Sequence, residues 1–206
     1  MRESWLLSLI GLMLAGPVLA QGNADQGKVH FVVCVACHGV NGEGSQALNA
    51  PQIAGQHAWY LVRQLQNFKT GIRGAHAQDT YGMQMAPMAM TLPDDAAVEN
   101  VAAYIAALPP AERTPTLSGD ATRGKDLYLV CATCHGQDGK GLEALNGPSL
   151  VVQQDWYLVR QINYYKAGIR GADAKDIYGM QMAPMAQTLL DEQAVLDVVA
   201  YIQTLK

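Results

Sequence analysis

Two short segments carry residues whose types and order point to chemistry: Cys34-Val35-Ala36-Cys37-His38 and Cys131-Ala132-Thr133-Cys134-His135. Between them they use all four cysteines of the chain. Two thiols spaced by two residues, with a histidine directly after the second, form the attachment signature of c-type haem. The thiols add to the haem vinyl groups, and the histidine turns under the iron as its proximal ligand. In an exported chain four cysteines otherwise suggest disulfides, and paired cysteines also build zinc sites. Neither alternative explains a histidine at the next position in both segments. The motifs therefore predict two covalently bound haem c groups on Cys34, Cys37, Cys131 and Cys134, with His38 and His135 as iron ligands.

The second face of each haem needs an account. The chain has five histidines, but His57 aligns with Gln154 and His76 with Asp173, so a second histidine cannot serve both sites. His30, His57 and His76 read as surface polar residues. Met83, Met85 and Met88 recur as Met180, Met182 and Met185, whereas Gln187 stands where the first copy has Met90. Methionine is also a flexible filler of cores. Three within six residues beside a proline, ahead of the last helix, argue that one of each three binds iron.

The elements that must place these groups repeat. Offset by 97 positions, residues 27–109 align with 124–206 without a gap, and 47 of the 83 pairs are identical. This is two copies of one unit, joined at Pro109-Pro110-Ala111-Glu112-Arg113-Thr114-Pro115, which reads as a stiff, exposed linker. The expected division is a signal peptide over 1–20, a first domain over 21–108, a linker over 109–120 and a second domain over 121–206. The N-terminal assignment rests on the apolar run from Trp5 to Ala15, too short for a membrane span, and on the small residues ending at Ala20. Each unit reads as all-α. Helices are expected over Asp25–Val33, over Ala58–Lys69 and over Asp94–Leu108, where Val98, Val101, Ala102 and Ile105 share one face. Loops rich in Gly, Pro and Met are expected between them. A unit this small is marginal by itself, and a covalent haem would complete its core.

The whole pattern resembles the class I cytochromes c, and within them the diheme cytochrome c4 family. The likeness rests on the doubled Cys-x-x-Cys-His and on Pro51-Gln52-Ile53-Ala54-Gly55-Gln56 before a Tyr-Leu-x-x-Gln helix. It rests also on a methionine loop that ends in Leu92-Pro93-Asp94-Asp95. The resemblance implies two tandem domains, each wrapped around a haem, related by a pseudo-twofold axis. It implies His/Met ligation and selects Met85 and Met182, with Met88 and Met185 as alternates. It makes Pro51 and Pro148 the residues whose carbonyls receive the Nδ1 proton of the proximal histidines. The repeated cations Arg73 and Arg170, each inside Gly-Ile-Arg-Gly-Ala, are expected to meet haem propionates or the other domain. Lys69 and Lys166 are expected at the surface.

A formal net charge of −4 with scattered charges argues against nucleic acid as a partner. Two closed irons could only pass electrons. The expected function is a periplasmic electron carrier, soluble or peripherally attached to the membrane and monomeric. Its donor would be a quinol-oxidising complex or a dehydrogenase, and its acceptor a terminal oxidase or reductase. The alternatives are a cytochrome subunit of a dehydrogenase complex, or an enzyme of the peroxidase or sulfur-compound oxidase type.

Overall fold

The computed structural model describes residues 22–206, so the expected signal segment lies outside the described residues. In the N-terminal unit α1 spans Ala24–Phe31, α2 Val35–His38, α3 Ala58–Lys69, α4 Thr80–Met90 and α5 Asp95–Ala107. In the C-terminal unit α6 spans Ala121–His135, α7 Asp155–Lys166, α8 Ile177–Gln187 and α9 Glu192–Thr204. The last three lie 97 positions beyond α3, α4 and α5, end for end. Among the described residues the only β features are isolated bridges, Ser45 to Ala50 and Leu142 to Gly147, which pinch the loop after each haem motif.

The first and last helices of each unit cross, α1 on α5 and α6 on α9. The crossing is close because glycine permits it. A Cβ at Gly27 would stand 1.9 Å from the Asn100 carbonyl oxygen, and one at Gly124 1.9 Å from that of Asp197. Aromatic pairs seal the crossing one turn on, Phe31 with Tyr104 and Tyr128 with Tyr201. The inner face of α5 carries the expected Val98, Val101, Ala102 and Ile105, all buried, and α9 repeats it with Val195, Val198, Val199 and Ile202. Asp94 and Asp191 cap these helices by accepting from the Ala97 and Ala194 N–H groups.

Two expectations change. The methionine segments are helices rather than loops. Asp79 and Asp176 cap them by accepting from the Gly82 and Gly179 N–H groups, and methionine, alanine and glutamine are good helix formers. Pro87 and Pro184 sit inside these helices. They are tolerated in the final turns, where the chain tightens as the Thr91 and Thr188 N–H groups reach back three residues to Met88 and Met185. The helix before the haem motif also differs between copies. It breaks after Phe31 in the first unit, where β-branched Val32 and Val33 follow, and runs unbroken from Ala121 to His135 in the second.

The linker is exposed as expected but tied down. Arg113 donates to the Leu205 carbonyl at 2.8 Å and to that of Ile202. The Leu117 N–H and the Thr116 hydroxyl bond the buried Asp155 carboxylate at 2.6 and 3.0 Å. The units face each other through reciprocal bonds. Gln56 donates to the Ser149 carbonyl at 2.9 Å, and Gln153 donates to the Gln52 carbonyl at 2.7 Å.

The α6–α9 crossing holds an ion pair where the α1–α5 crossing holds neutral amides. Asp197, 1% exposed, binds Arg123 at 2.8 Å, while its counterpart Asn100 binds Gln26. Burial alone would raise the Asp197 carboxyl. The Asp120 N–H, the Gln193 amide and Arg123 outweigh it and hold the pKa below the ordinary aspartate value. A depressed value gives stability that is complete above the ordinary range, about pH 4. That stability is lost as the pH falls through the lowered value. Acidification should therefore lower the opening free energies of α6 and α9, measured by hydrogen exchange, more than those of α1 and α5. Asp197→Asn should abolish the difference.

Candidate functional site

Cys131 to His135 closes α6, and in the first unit Cys34 caps the short α2 that ends on His38; both arrangements place the cysteines and the histidine on one side of a cavity. Gly39 and Gly136, at φ of +81° and +80°, end those helices and let the chain turn away directly after the histidine. His38 and His135 are buried, at 7% and 8% exposure. The Nδ1 of each meets a proline carbonyl, Pro51 at 2.7 Å and Pro148 at 2.8 Å. A carbonyl only accepts, so Nδ1 carries the proton and Nε2 keeps its lone pair toward the cavity. Burial pushes both imidazoles below the ordinary histidine value, against the opposing pull of the proline carbonyls. Both are therefore neutral, as a metal ligand must be. Burial, with help from the neighbouring cysteine, pushes the Cys34 and Cys131 thiols up to about 11. Until haem is attached these sulfurs are protonated thiols at neutral pH, and thiols are poor nucleophiles; once bound to haem they are thioethers and no longer titrate.

One cavity runs through both units, lined in the first by apolar groups such as Ile53, Leu61, Leu65, Phe68, Leu92 and Val101. The methionine helices supply its other wall. Met85 and Met88, one turn apart on α4, both line it, and so do Met182 and Met185 on α8. Met83 and Met180 do not; they point outward, 43% and 49% exposed. The structure thus narrows each trio to a pair. Lys69 and Lys166 are not free surface charges as expected. Each amine donates to the carbonyl of Leu92 or Leu189, where the chain leaves the methionine helix. His57 is likewise no simple surface group, since its Nε2 meets the Lys140 carbonyl of the other unit at 2.7 Å.

Arg73 and Arg170 meet at the boundary between units, both buried. Arg73 donates to Gln64 at 2.7 Å and reaches Gln161 at 3.5 Å. Arg170 donates to Gln161 at 2.6 Å and to Gln64 at 3.2 Å. Each guanidinium also lies over a ring, of Phe68 and Tyr165 respectively. Among the described residues neither pairs with a carboxylate. The Nε atoms of both, and that of Arg160, are buried without a protein acceptor. An apolar cavity with neutral histidines on one wall, thioethers on the other and under-paired guanidinium groups at its edge suits a haem, whose propionates are anionic.

Sequence reasoning did not single out Gln52, Gln56, Gln64, Gln153, Gln154 or Gln161, which carry much of the contact between units. Nor did it find Asn49 and Asn146, both left-handed at φ 56°. Gln64 and Gln161 sit inside a repeated hexapeptide, and both asparagines precede the haem-loop prolines by two residues in each copy. Exact recurrence was the available signal for these and for Gln56 and Gln153, whereas Gln52 and Gln154 stand opposite Ser149 and His57 in the repeat and carried none.

The Cytochrome c family profile matches residues 24–109 and 121–206. Cytochrome c4 of Thiocapsa roseopersicina is 32% identical over 95% of this chain and 98% of its own. A thiosulfate dehydrogenase electron acceptor of Stutzerimonas stutzeri is 30% identical over 79% of this chain and 74% of its own. The crystal structure of reduced recombinant cytochrome c4 from Pseudomonas stutzeri superposes with a TM-score of 0.70 at 27% identity. It covers 90% of this chain and all of that one.

Gln64 accepts from both central arginines, and a bond to a charged donor is worth about 1.5 to 3 kcal/mol. Gln64→Leu should cost about 2 to 3 kcal/mol and lower Tm by roughly 5 to 10 °C, measured by calorimetry on the haem-loaded protein. An unchanged Tm would show that the arginines find their acceptors elsewhere.

Proposed function

The chain belongs to the cytochrome c family as a diheme member of the cytochrome c4 kind, and from this electron-transfer protein's geometry we propose a periplasmic carrier role. It takes electrons from a quinol-oxidising complex or a dehydrogenase and passes them to a terminal oxidase or reductase. The observation that supports the reading is the matched pair of sites. In both units a neutral histidine faces a methionine helix across the same apolar cavity, so neither site is set apart for a substrate.

The haem supplies reversible one-electron exchange between Fe(III) and Fe(II). The chain's residues hold and tune it. Cys34 and Cys37, and Cys131 and Cys134, fasten it covalently. His38 and His135 present Nε2, oriented by the Pro51 and Pro148 carbonyls. Met85 and Met182 offer a soft, weakly donating sulfur that favours the reduced metal. Arg73 and Arg170 present positive charge to the propionates. Apolar walls keep water from the metal while the two sites stay connected through one cavity.

No helix among the described residues is long and apolar enough to cross a membrane, and attachment at a membrane surface fits the same reading. A second reading draws on one relative: a 30% identical protein is named a thiosulfate dehydrogenase electron acceptor, which fits a cytochrome dedicated to one dehydrogenase.

Ferric and reduced spectra, with and without carbon monoxide, test the proposal. The expected result is a sulfur-to-iron charge-transfer band in the ferric protein and no response to carbon monoxide. Met85→Ala or Met182→Ala should each remove the band from one site and open that site to carbon monoxide, while Met83→Ala and Met180→Ala change nothing. A response in the unaltered protein would favour an enzyme. Copurification with a dehydrogenase would favour the dedicated subunit.

A further inference from the structure

Arg63 of α3 and Arg160 of α7 reach across to the opposite unit. Arg63 donates to the Asn146 side-chain oxygen at 3.0 Å and to the Asn146 carbonyl at 3.1 Å, and its guanidinium lies 4.3 Å from the Tyr178 ring centroid. Arg160 repeats this on Asn49, at 3.0 and 2.9 Å, and on Tyr81, at 4.3 Å. Their targets stand on both walls of the other site. Asn146 precedes Pro148, the residue that orients His135, by two positions. Tyr178 precedes Met182 by four, one turn away on the same face of α8. Asn49 and Tyr81 stand in the same relation to Pro51 and Met85. Each arginine is itself held by rings of its own unit, Trp59 and Tyr60 for Arg63, and Trp156 and Tyr157 for Arg160.

We propose that Arg63 and Arg160 are positioning residues that act in trans. Each ties the histidine loop of the other unit to that unit's methionine helix and so sets the spacing of the other haem's two axial ligands. The planar fork is essential: two parallel N–H groups grip one asparagine while the flat face stacks on a tyrosine, and lysine can do neither. Gln56 and Gln153 support the same loops from across the boundary by holding the carbonyls of Ser149 and Gln52, each directly after a haem-loop proline. The ligand geometry of one haem is thereby built on the scaffold of the other.

The inference rests on the histidine–methionine reading of the sites. The test uses the full haem-loaded chain with methyl-labelled methionine. Proton NMR of the reduced protein shows each axial methionine methyl as a separate ring-current-shifted signal, assigned to its unit through contacts within α4 or α8. Potentiometric titration follows each haem. Arg63→Gln should shift the α8 methyl signal and the potential of the second haem, with the first unmoved. Arg160→Gln should do the reverse. Arg63→Lys should fail to restore the signal, whereas Tyr178→Phe, which keeps the ring face, should leave it in place. An effect confined to the mutated residue's own unit would overturn the proposal, as would equal shifts at both haems or full rescue by lysine. Absence of two shifted methyl signals in the unaltered protein would instead overturn the ligand reading, so the two failures are distinct.

Discussion

The bond from each histidine Nδ1 to a proline carbonyl fixes more of this molecule than any other contact. It makes the imidazole a neutral ligand with one orientation. It also demands that the loop bearing the proline stay in place, although that loop holds no more regular structure than an isolated bridge and, in the second unit, one 3-10 turn over Glu143–Leu145. Proline offers a carbonyl and no N–H, so it cannot donate to a ladder itself. The loop is locked by its own isolated bridge, by the opposite unit's arginine on the asparagine two residues earlier, and by glutamines of the opposite unit. The contact between units is thus the outer layer of the two sites.

The second constraint is charge. Arg63, Arg73, Arg160 and Arg170 gather at one boundary, and among the described residues none pairs with a protein carboxylate. A buried cation needs polar or anionic partners, and within the protein these four find glutamine oxygens, asparagine oxygens and aromatic faces. These are partial answers, as the unpartnered Nε atoms show. Away from this boundary the copies differ freely. Tyr128 bonds the Gly136 carbonyl at 2.8 Å where Phe31 has no hydroxyl to offer. Asp155 receives the linker where Ala58 could not.

Much of this was legible in the sequence. The haem motifs, the repeat, helix α3 to its last residue and the apolar face of α5 all follow from spacing and period. The methionine helices did not, because glycine, proline and methionine together suggest a loop, and the capping role of Asp79 and Asp176 shows only with the fold in hand. Arg73 and Arg170 were expected at a propionate or at the other domain, and the structure brings them to that boundary. Lys69 was misplaced because its partner, the Leu92 carbonyl, is a backbone atom, and backbone acceptors leave no mark in a sequence. The contacts of Arg63 were hidden for a related reason. They join residues 83 and 115 positions away, and periodicity within one unit says nothing about what faces it.

The reciprocal contacts make the inside of this single chain an isologous interface, of the kind that joins two identical subunits. In a homodimer one substitution enters both halves at once and the match between them survives. Here the halves are encoded separately, so a change at Asn49, Arg63, Gln64 or Arg73 leaves its mate facing a partner that no longer fits. All four are identical in the two copies, and so are Gln56 and Tyr81. The changes at Phe31, Ala58 and Asn100 all fall outside that set. The mated residues of the shared face thus keep the two copies in register as sequences, while Gln52 and Ser149, and His57 and Gln154, differ between the copies and still touch the opposite half.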